Sequence, residues 1–128
     1  MGAQKVVEAF ITAWNEKDYE QVLSLLTDDV EYHNMPLPIL KGKQAVRSFL
    51  DALGNPDEIN WQVHHIAAHG AVVLTERTDN FIFGEQAISL PVMGTFEIRG
   101  GKIAKWRDYF DLAQFTEQMA AITPPATQ

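Results

Sequence analysis

The chain contains no cysteine. That absence excludes a disulfide framework and every thiolate metal site, and it suits a reducing compartment, so a cytoplasmic location is expected. Long apolar runs are also missing; none approaches the roughly 20 residues that a membrane-spanning helix needs. The opening segment MGAQKVVEAF has no extended apolar stretch and does not read as a signal peptide. Met1-Gly2 lacks the Ser or Thr a few residues on that a myristoylation signal wants. Basic residues are scarce, with 10 Lys and Arg against 17 Asp and Glu, for a formal charge of −7. That balance argues against nucleic acid, whose affinity rests on clustered cations, and against an anionic membrane surface or an acidic substrate. No glycine-rich turn joins a strand to a helix with phosphate-binding spacing. No repeat or linker interrupts the 128 residues, of which 46% are hydrophobic. The length fits one domain and the composition excludes wholesale disorder. The domain is expected over 1–122, with an unpatterned, fraying tail over 123–128.

What is present begins with helical spacing. Val6, Val7, Phe10, Ile11 and Trp14 recur at the three-and-four period of an amphipathic helix. Asn15 to Asp18 interrupts it. A second short helix carries Val22, Leu23, Leu25 and Leu26 on its apolar side, and Thr27-Asp28-Asp29 reads as a turn. Val30 to Asn34 alternates as a strand. The two prolines of the apolar segment 35–40 make it a loop or an edge. Lys43 to Leu53 returns to helical spacing and stops at Gly54-Asn55-Pro56. From Glu58 the period changes to two. Strands are expected at 58–69, 71–83, 86–99 and 102–111, with turns at His69-Gly70, Gly84-Glu85 and Gly100-Gly101. A short helix from Leu112 to Ala121 closes the domain. Helices followed by an antiparallel meander indicate an α+β fold, one curved sheet with helices against one face.

Side chains two apart on a strand share a face, so alternation also shows where charge is aimed. Val73, Thr75, Arg77, Asp79, Phe81 and Phe83 share one face, and Ala104, Trp106, Asp108 and Phe110 share another. On the first strand Val30, Tyr32 and Asn34 lie together. The Trp and Phe residues should point inward, and they take Arg77, Asp79 and Asp108 with them. An unpaired buried charge costs several kcal/mol, roughly, unless it is paired or neutralised. The arrangement of lowest cost places the planar Arg77 fork between the two aspartates. One excess negative charge then remains, so one aspartate keeps a proton near neutral pH or the pair shares it. A protonated acid beside an ionised base in a dry cavity suits push-pull chemistry.

The segments Tyr32-His33-Asn34-Met35-Pro36-Leu37-Pro38, Glu76-Arg77-Thr78-Asp79 and Trp106-Arg107-Asp108-Tyr109-Phe110-Asp111 resemble, in order and spacing, the limonene-1,2-epoxide hydrolase family. The resemblance runs from the first helix to about Phe115. It implies a cone-like α+β domain of the broad NTF2-like class, with a strongly curved mixed or antiparallel sheet around a deep apolar pocket. It implies no cofactor and no metal, and a homodimer as the usual assembly. By the same resemblance Asp108 is the general base for a water also held by Tyr32 and Asn34. Asp79 is the general acid that protonates the epoxide oxygen, and Arg77 bridges both carboxylates. The implied reaction is a single step to a vicinal diol, with no ester intermediate.

The pocket wall is expected from residues on the same faces: Met35 and Leu37 after the Tyr–Asn pair, Phe81, Leu90 and Val92, Phe110, and Phe115 as a cap. As a set they imply a lipophilic, uncharged substrate; the family resemblance makes it a small epoxide, cyclic or terpene-like. His33, His64, His65 and His69 do not form a metal-ligand pattern, since His64 and His65 are adjacent and a strand would turn them to opposite faces. Two other readings stand beside the hydrolase. One is an isomerase or cyclase of the ketosteroid-isomerase or polyketide-cyclase kind, which needs one carboxylate base and an acidic donor. The other is a non-catalytic carrier of a lipophilic ligand, which needs the cavity but not the acid–base set.

Overall fold

The computed structural model describes residues 2–122, so the tail expected to fray lies outside the described residues. Helix α1 spans Ala3–Asn15 and α2 Tyr19–Ser24; β1 is Leu26–Asn34 and β2 Leu40–Lys41. Helix α3 is Lys43–Leu53, followed by β3 Glu58–His69, β4 Val72–Phe83, β5 Gln86–Arg99, β6 Lys102–Tyr109 and α4 Leu112–Ile122. The apolar stripe of α1 is wholly used: Val6, Val7, Phe10, Ile11, Ala13 and Trp14 are all buried. The helix ends where Lys17 enters the left-handed region at φ 56°. Its ammonium donates to the Pro56 carbonyl at 3.0 Å. Asp18 then starts α2 by accepting the Gln21 N–H at 3.1 Å, a side-chain cap for an otherwise orphaned donor.

One sheet carries all six strands in the order β2-β1-β6-β5-β4-β3. Strands β3 to β6 form the expected antiparallel meander. Strand β1 lies parallel to β6, which makes the sheet mixed. Three irregularities bend and twist this sheet, one in each of the β1–β6, β3–β4 and β5–β6 pairings. The result is a curved, open sheet with helices on its inner face.

Each irregularity also corrects a local expectation. Thr27-Asp28-Asp29 is not a turn but the first part of β1, and Leu25 and Leu26 lie beyond the end of α2. Leu26 pairs with Ile103, the Leu25 carbonyl accepts the Ile103 N–H at 2.8 Å, and regular pairing resumes at Glu31. Tertiary pairing therefore overrides the turn propensity of the Asp pair. The shift between Glu97 and Ile98 turns Ile103 inward, where it is fully buried, although simple alternation assigns it to the outer face. The shift between Val63 and His65 places His64 and His65 on the same outer side, facing Thr78 and Glu76 respectively, rather than on opposite faces. Strand β6 stops at Tyr109, short of the expected 111, because Asp111 begins α4: its carboxylate accepts the Ala113 N–H at 3.1 Å.

Two apolar clusters fill the inner side. The larger packs α1 on the sheet through aromatic rings: Phe10 meets Trp106 edge-on at 4.9 Å, Trp14 stacks on Trp61 at 4.5 Å, and Tyr32 stacks on Trp106 at 3.6 Å. The smaller gathers Ile88, Leu90 and Val92 of β5 against Phe110, Phe115 and Met119. Over this stretch β5 pairs with β4 alone, since β6 joins only from Met93. The Gln118 amide closes part of that free edge: it accepts the Ser89 N–H at 2.6 Å and donates to the Ser89 carbonyl at 2.9 Å.

Candidate active site

Register decides which side chains meet. Across four neighbouring strands, Asn34 of β1 pairs with Asp108 of β6, Asp108 with Gly94 of β5, and Gly94 with Thr75 of β4. Two residues along β4, Arg77 pairs with Val92, and two further on Asp79 pairs with Leu90. These inward positions form a patch on the inner sheet face, and the long Arg77 side chain ties the patch together. Its Nε and Nη2 donate to the two Asp79 oxygens at 3.0 and 2.9 Å. Nη2 also reaches Asp108 Oδ2 at 3.0 Å, and Nη1 reaches Asp108 Oδ1 at 3.3 Å. The remaining Nη1 proton goes to Thr75 Oγ1 at 3.1 Å. A guanidinium has five N–H donors, so its capacity is used in full. The indole of Trp61 lies under the guanidinium carbon at 4.8 Å and screens it from water.

The ion triad is buried. Arg77, Asp79 and Asp108 are 1%, 5% and 3% exposed. Burial pushes the Asp79 carboxyl up to about 6; the guanidinium opposes that rise and the Asp108 charge adds to it. Burial alone would weaken the Arg77 proton, but two flanking carboxylates outweigh it and keep the guanidinium charged. The Tyr32 hydroxyl is driven well above its ordinary range by burial and by the Asp108 charge, so it stays a phenol. It donates to Asn34 Oδ1 at 3.0 Å, which orients the Asn34 amide nitrogen as a donor.

Beside the triad lies a cavity of about 250 Å³. Tyr32, Asn34, Asp79 and Asp108 are its polar wall, while Leu37, Phe81, Leu90, Val92, Phe110 and Phe115 supply expected apolar wall. Arg77 is not in the lining; it sits behind the two carboxylates. Met35 is a correction, because it is 36% exposed and lies outside the lining. Its N–H donates to the Asp108 carbonyl at 2.8 Å, continuing the parallel ladder by one residue and so turning its side chain away from the Asn34 face.

Sequence reasoning missed lining residues from elements whose packing it had no means to place: Phe49, Ala52 and Leu53 of α3, Trp14 of α1 and Met119 of α4. It missed Trp61, Phe83 and Ile88 although the period-two pattern carried them. Asn15 fixes Trp61 by bracketing its backbone, accepting its N–H at 2.7 Å and donating to its carbonyl at 3.2 Å. The more telling omission is Gly94. A Cβ there would collide with Arg77 Nη1 and come within 2.6 Å of Asp108 Oδ1 and 3.1 Å of Thr75 Oγ1. A glycine in the middle of a long strand marks such a close approach, and that signal was available in the sequence.

A model of the limonene-1,2-epoxide hydrolase catalytic domain matches residues 1–121. The epoxide hydrolase EphG of Mycobacterium tuberculosis is 38% identical over 106 residues, which span 83% of this chain and 71% of that protein. A solved structure of an M. tuberculosis epoxide hydrolase of the same kind superposes with a TM-score of 0.81 at 34% identity, covering 95% of this chain and 96% of the other. A putative polyketide cyclase from Xanthomonas campestris pv. campestris superposes with a TM-score of 0.78 at 25% identity, covering 91% and 95%.

Proposed function

The chain belongs to the limonene-1,2-epoxide hydrolase family, and from that premise we propose that it opens a lipophilic epoxide, cyclic or terpene-like, to a vicinal diol without a cofactor. The observation that carries this reading is the Arg77 bridge: one guanidinium holds two carboxylates at the wall of an otherwise apolar cavity. An epoxide is a strained electrophile whose leaving oxygen must be protonated, so it needs a nucleophile and an acid together.

Asp108 takes the part of general base and Asp79 that of general acid. The direction of the Tyr32–Asn34 hydrogen bond supports one position for the water. The Tyr32 proton is committed to Asn34, so the phenol oxygen accepts from water and the Asn34 amide donates to it. One water hydrogen goes to Asp108, the other to Tyr32, and one lone pair is occupied by Asn34. A single lone pair is left to attack. As the C–O bond to the new hydroxyl forms, the water proton passes to Asp108, the ring C–O bond breaks, and Asp79 gives its proton to the departing oxygen. The two carboxylates end with their protonation exchanged, and proton transfer through water resets them as the diol leaves. The apolar wall restricts the site to that one water and orients the substrate, an effect worth up to about 7–11 kcal/mol in favourable cases.

A homodimer in the cytoplasm is part of the same reading. The large apolar side chains Leu74, Met93 and Tyr109, each about half exposed, favour a covered outer sheet face. No helix among the described residues is long and apolar enough to cross a membrane.

The test is incubation with a panel of cyclic and terpene epoxides in heavy-oxygen water. One labelled oxygen per vicinal diol is expected. Proton exchange next to a ketone, with no diol from any epoxide, would instead establish the isomerase or cyclase reading that the likeness to a putative polyketide cyclase keeps in view. Ligand binding with neither reaction would establish a carrier.

A further inference from the structure

We propose that Thr75 and Gly94 form a positioning pair that sets where the Arg77 guanidinium stands between the two carboxylates. The inference rests on the acid–base reading above and deepens it. Four of the five Arg77 hydrogen bonds go to Asp79 and Asp108, groups whose charge changes during the proposed cycle. The fifth goes to the Thr75 hydroxyl, which does not titrate. Thr75 donates its own proton to the Gly94 carbonyl at 3.3 Å, which leaves its oxygen lone pairs turned toward Arg77. Thr75 is 1% exposed and does not line the cavity, so it acts on the reaction only through Arg77.

Gly94 supplies the other half of the arrangement. Its strand position falls between Asp108 and Thr75 in the register, where any side chain would point at the guanidinium. The missing Cβ is the space that Nη1 and Asp108 Oδ1 occupy. Thr75 therefore draws the guanidinium toward Asp108, and Gly94 lets it come. When Asp79 becomes charged and Asp108 neutral, the Coulomb pull on Arg77 reverses in direction. The hydroxyl tether keeps the fork from following it, so both carboxylates stay aimed at the cavity for the next turnover.

The test uses Thr75→Val, which keeps the shape and removes the hydroxyl, with Thr75→Ser as the rescue. Losing a buried hydrogen bond to a charged group should lower kcat by roughly ten- to a hundredfold. KM should stay as in the wild type, because Thr75 touches no substrate, and Thr75→Ser should recover most of kcat. Wild-type kcat in Thr75→Val, or a change confined to KM, would overturn the proposal. A second readout needs no turnover: carboxyl titration of protein labelled with carbon-13 at aspartate. Thr75→Val should move the Asp79 midpoint to lower pH, since a guanidinium released from the Asp108 side follows the charge onto Asp79 and favours its ionised form, and Thr75→Ser should restore it. Equal midpoints in all three proteins would overturn the proposal even if the protein hydrolyses epoxides. A wild type inactive on every epoxide would overturn the hydrolase reading while leaving the titration result to decide the positioning role. Gly94→Ala should shift the same midpoint; where it does not fold, the Thr75 pair still decides.

Discussion

Substituting Asp79→Asn tests the proton arrangement without any substrate. The carboxyl rises from its ordinary 3.8 to about 6 in the folded protein, so the native state holds this proton more tightly than the unfolded chain does. The resulting stabilisation is fully present below pH 3.8 and is lost as the pH rises through about 6. The difference in affinity corresponds to about 3 kcal/mol at a buried site. The amide that replaces the carboxyl cannot titrate, so the variant lacks this contribution to pH dependence while retaining the shape. Urea unfolding of both proteins between pH 4 and pH 7 isolates it. Relative to the variant, the wild type should lose on the order of 3 kcal/mol over that interval, which at usual urea slopes moves the midpoint difference by about 1–3 M. A constant difference would refute a raised Asp79. A wild type that gains stability with pH relative to the variant would mean that Arg77 outweighs burial and that Asp79 is the ionised member of the pair.

Asp108→Asn should lower kcat/KM by roughly a hundred- to ten-thousandfold, the usual worth of a general base, with an unchanged far-UV spectrum; near wild-type turnover would remove Asp108 from the mechanism. The turnover rate should fall as the pH rises through about 6, since Asp79 loses the proton it donates, and a profile flat from pH 5 to 9 would contradict that role. Phe115→Ala opens the wall beside Phe110, which its ring meets at 5.6 Å; kcat/KM for an epoxide one ring larger should rise about tenfold relative to the smaller one, and an unchanged ratio would place Phe115 outside the substrate's reach. Gln118→Ala removes both bonds that fasten α4 to Ser89; hydrogen exchange at the Ser89 amide should quicken by roughly tenfold, and unchanged protection would show that apolar contacts alone hold the helix.

Much of this site was legible because alternation is a strict geometric rule. Tyr32, Asn34, Arg77, Asp79 and Asp108 could each be assigned to a face from neighbouring Val, Phe and Trp residues, and the structure places all of them inward. Several residues failed where the period of two is broken. Ile103, His64 and His65 all sit next to register shifts, and a bulge depends on the partner strand, which local sequence does not reveal. Thr27 to Asp29 read as a turn for the same reason: they lie in the irregular stretch between the Leu26–Ile103 and Glu31–Lys105 pairings with β6, a strand far along the chain. Met35 was assigned to the pocket by apolarity alone, although alternation from Asn34 turns it away. The α3 and α4 lining residues depend on how helices dock, and their spacing identifies a buried side without naming what it faces.

The cost of the triad argues against a role in stability. Each buried ion loses several kcal/mol of hydration, roughly, and apolar side chains of similar volume commonly serve a core as well or better. The flanking rows show what this sheet uses when only packing is required: Tyr32, Trp106, Phe96 and Val73 on one side, Ile88, Phe81 and Ile59 on the other. A carrier for a lipophilic ligand would be served by continuing that pattern through positions 77, 79 and 108. Instead these positions hold a charged fork with every donor engaged, next to a glycine whose missing side chain is what allows the fork to fit. Breaking such a set from one side leaves a buried charge and costs about 3–5 kcal/mol. An arrangement that costs stability to build, and more to break, is what the proposed proton transfer would account for.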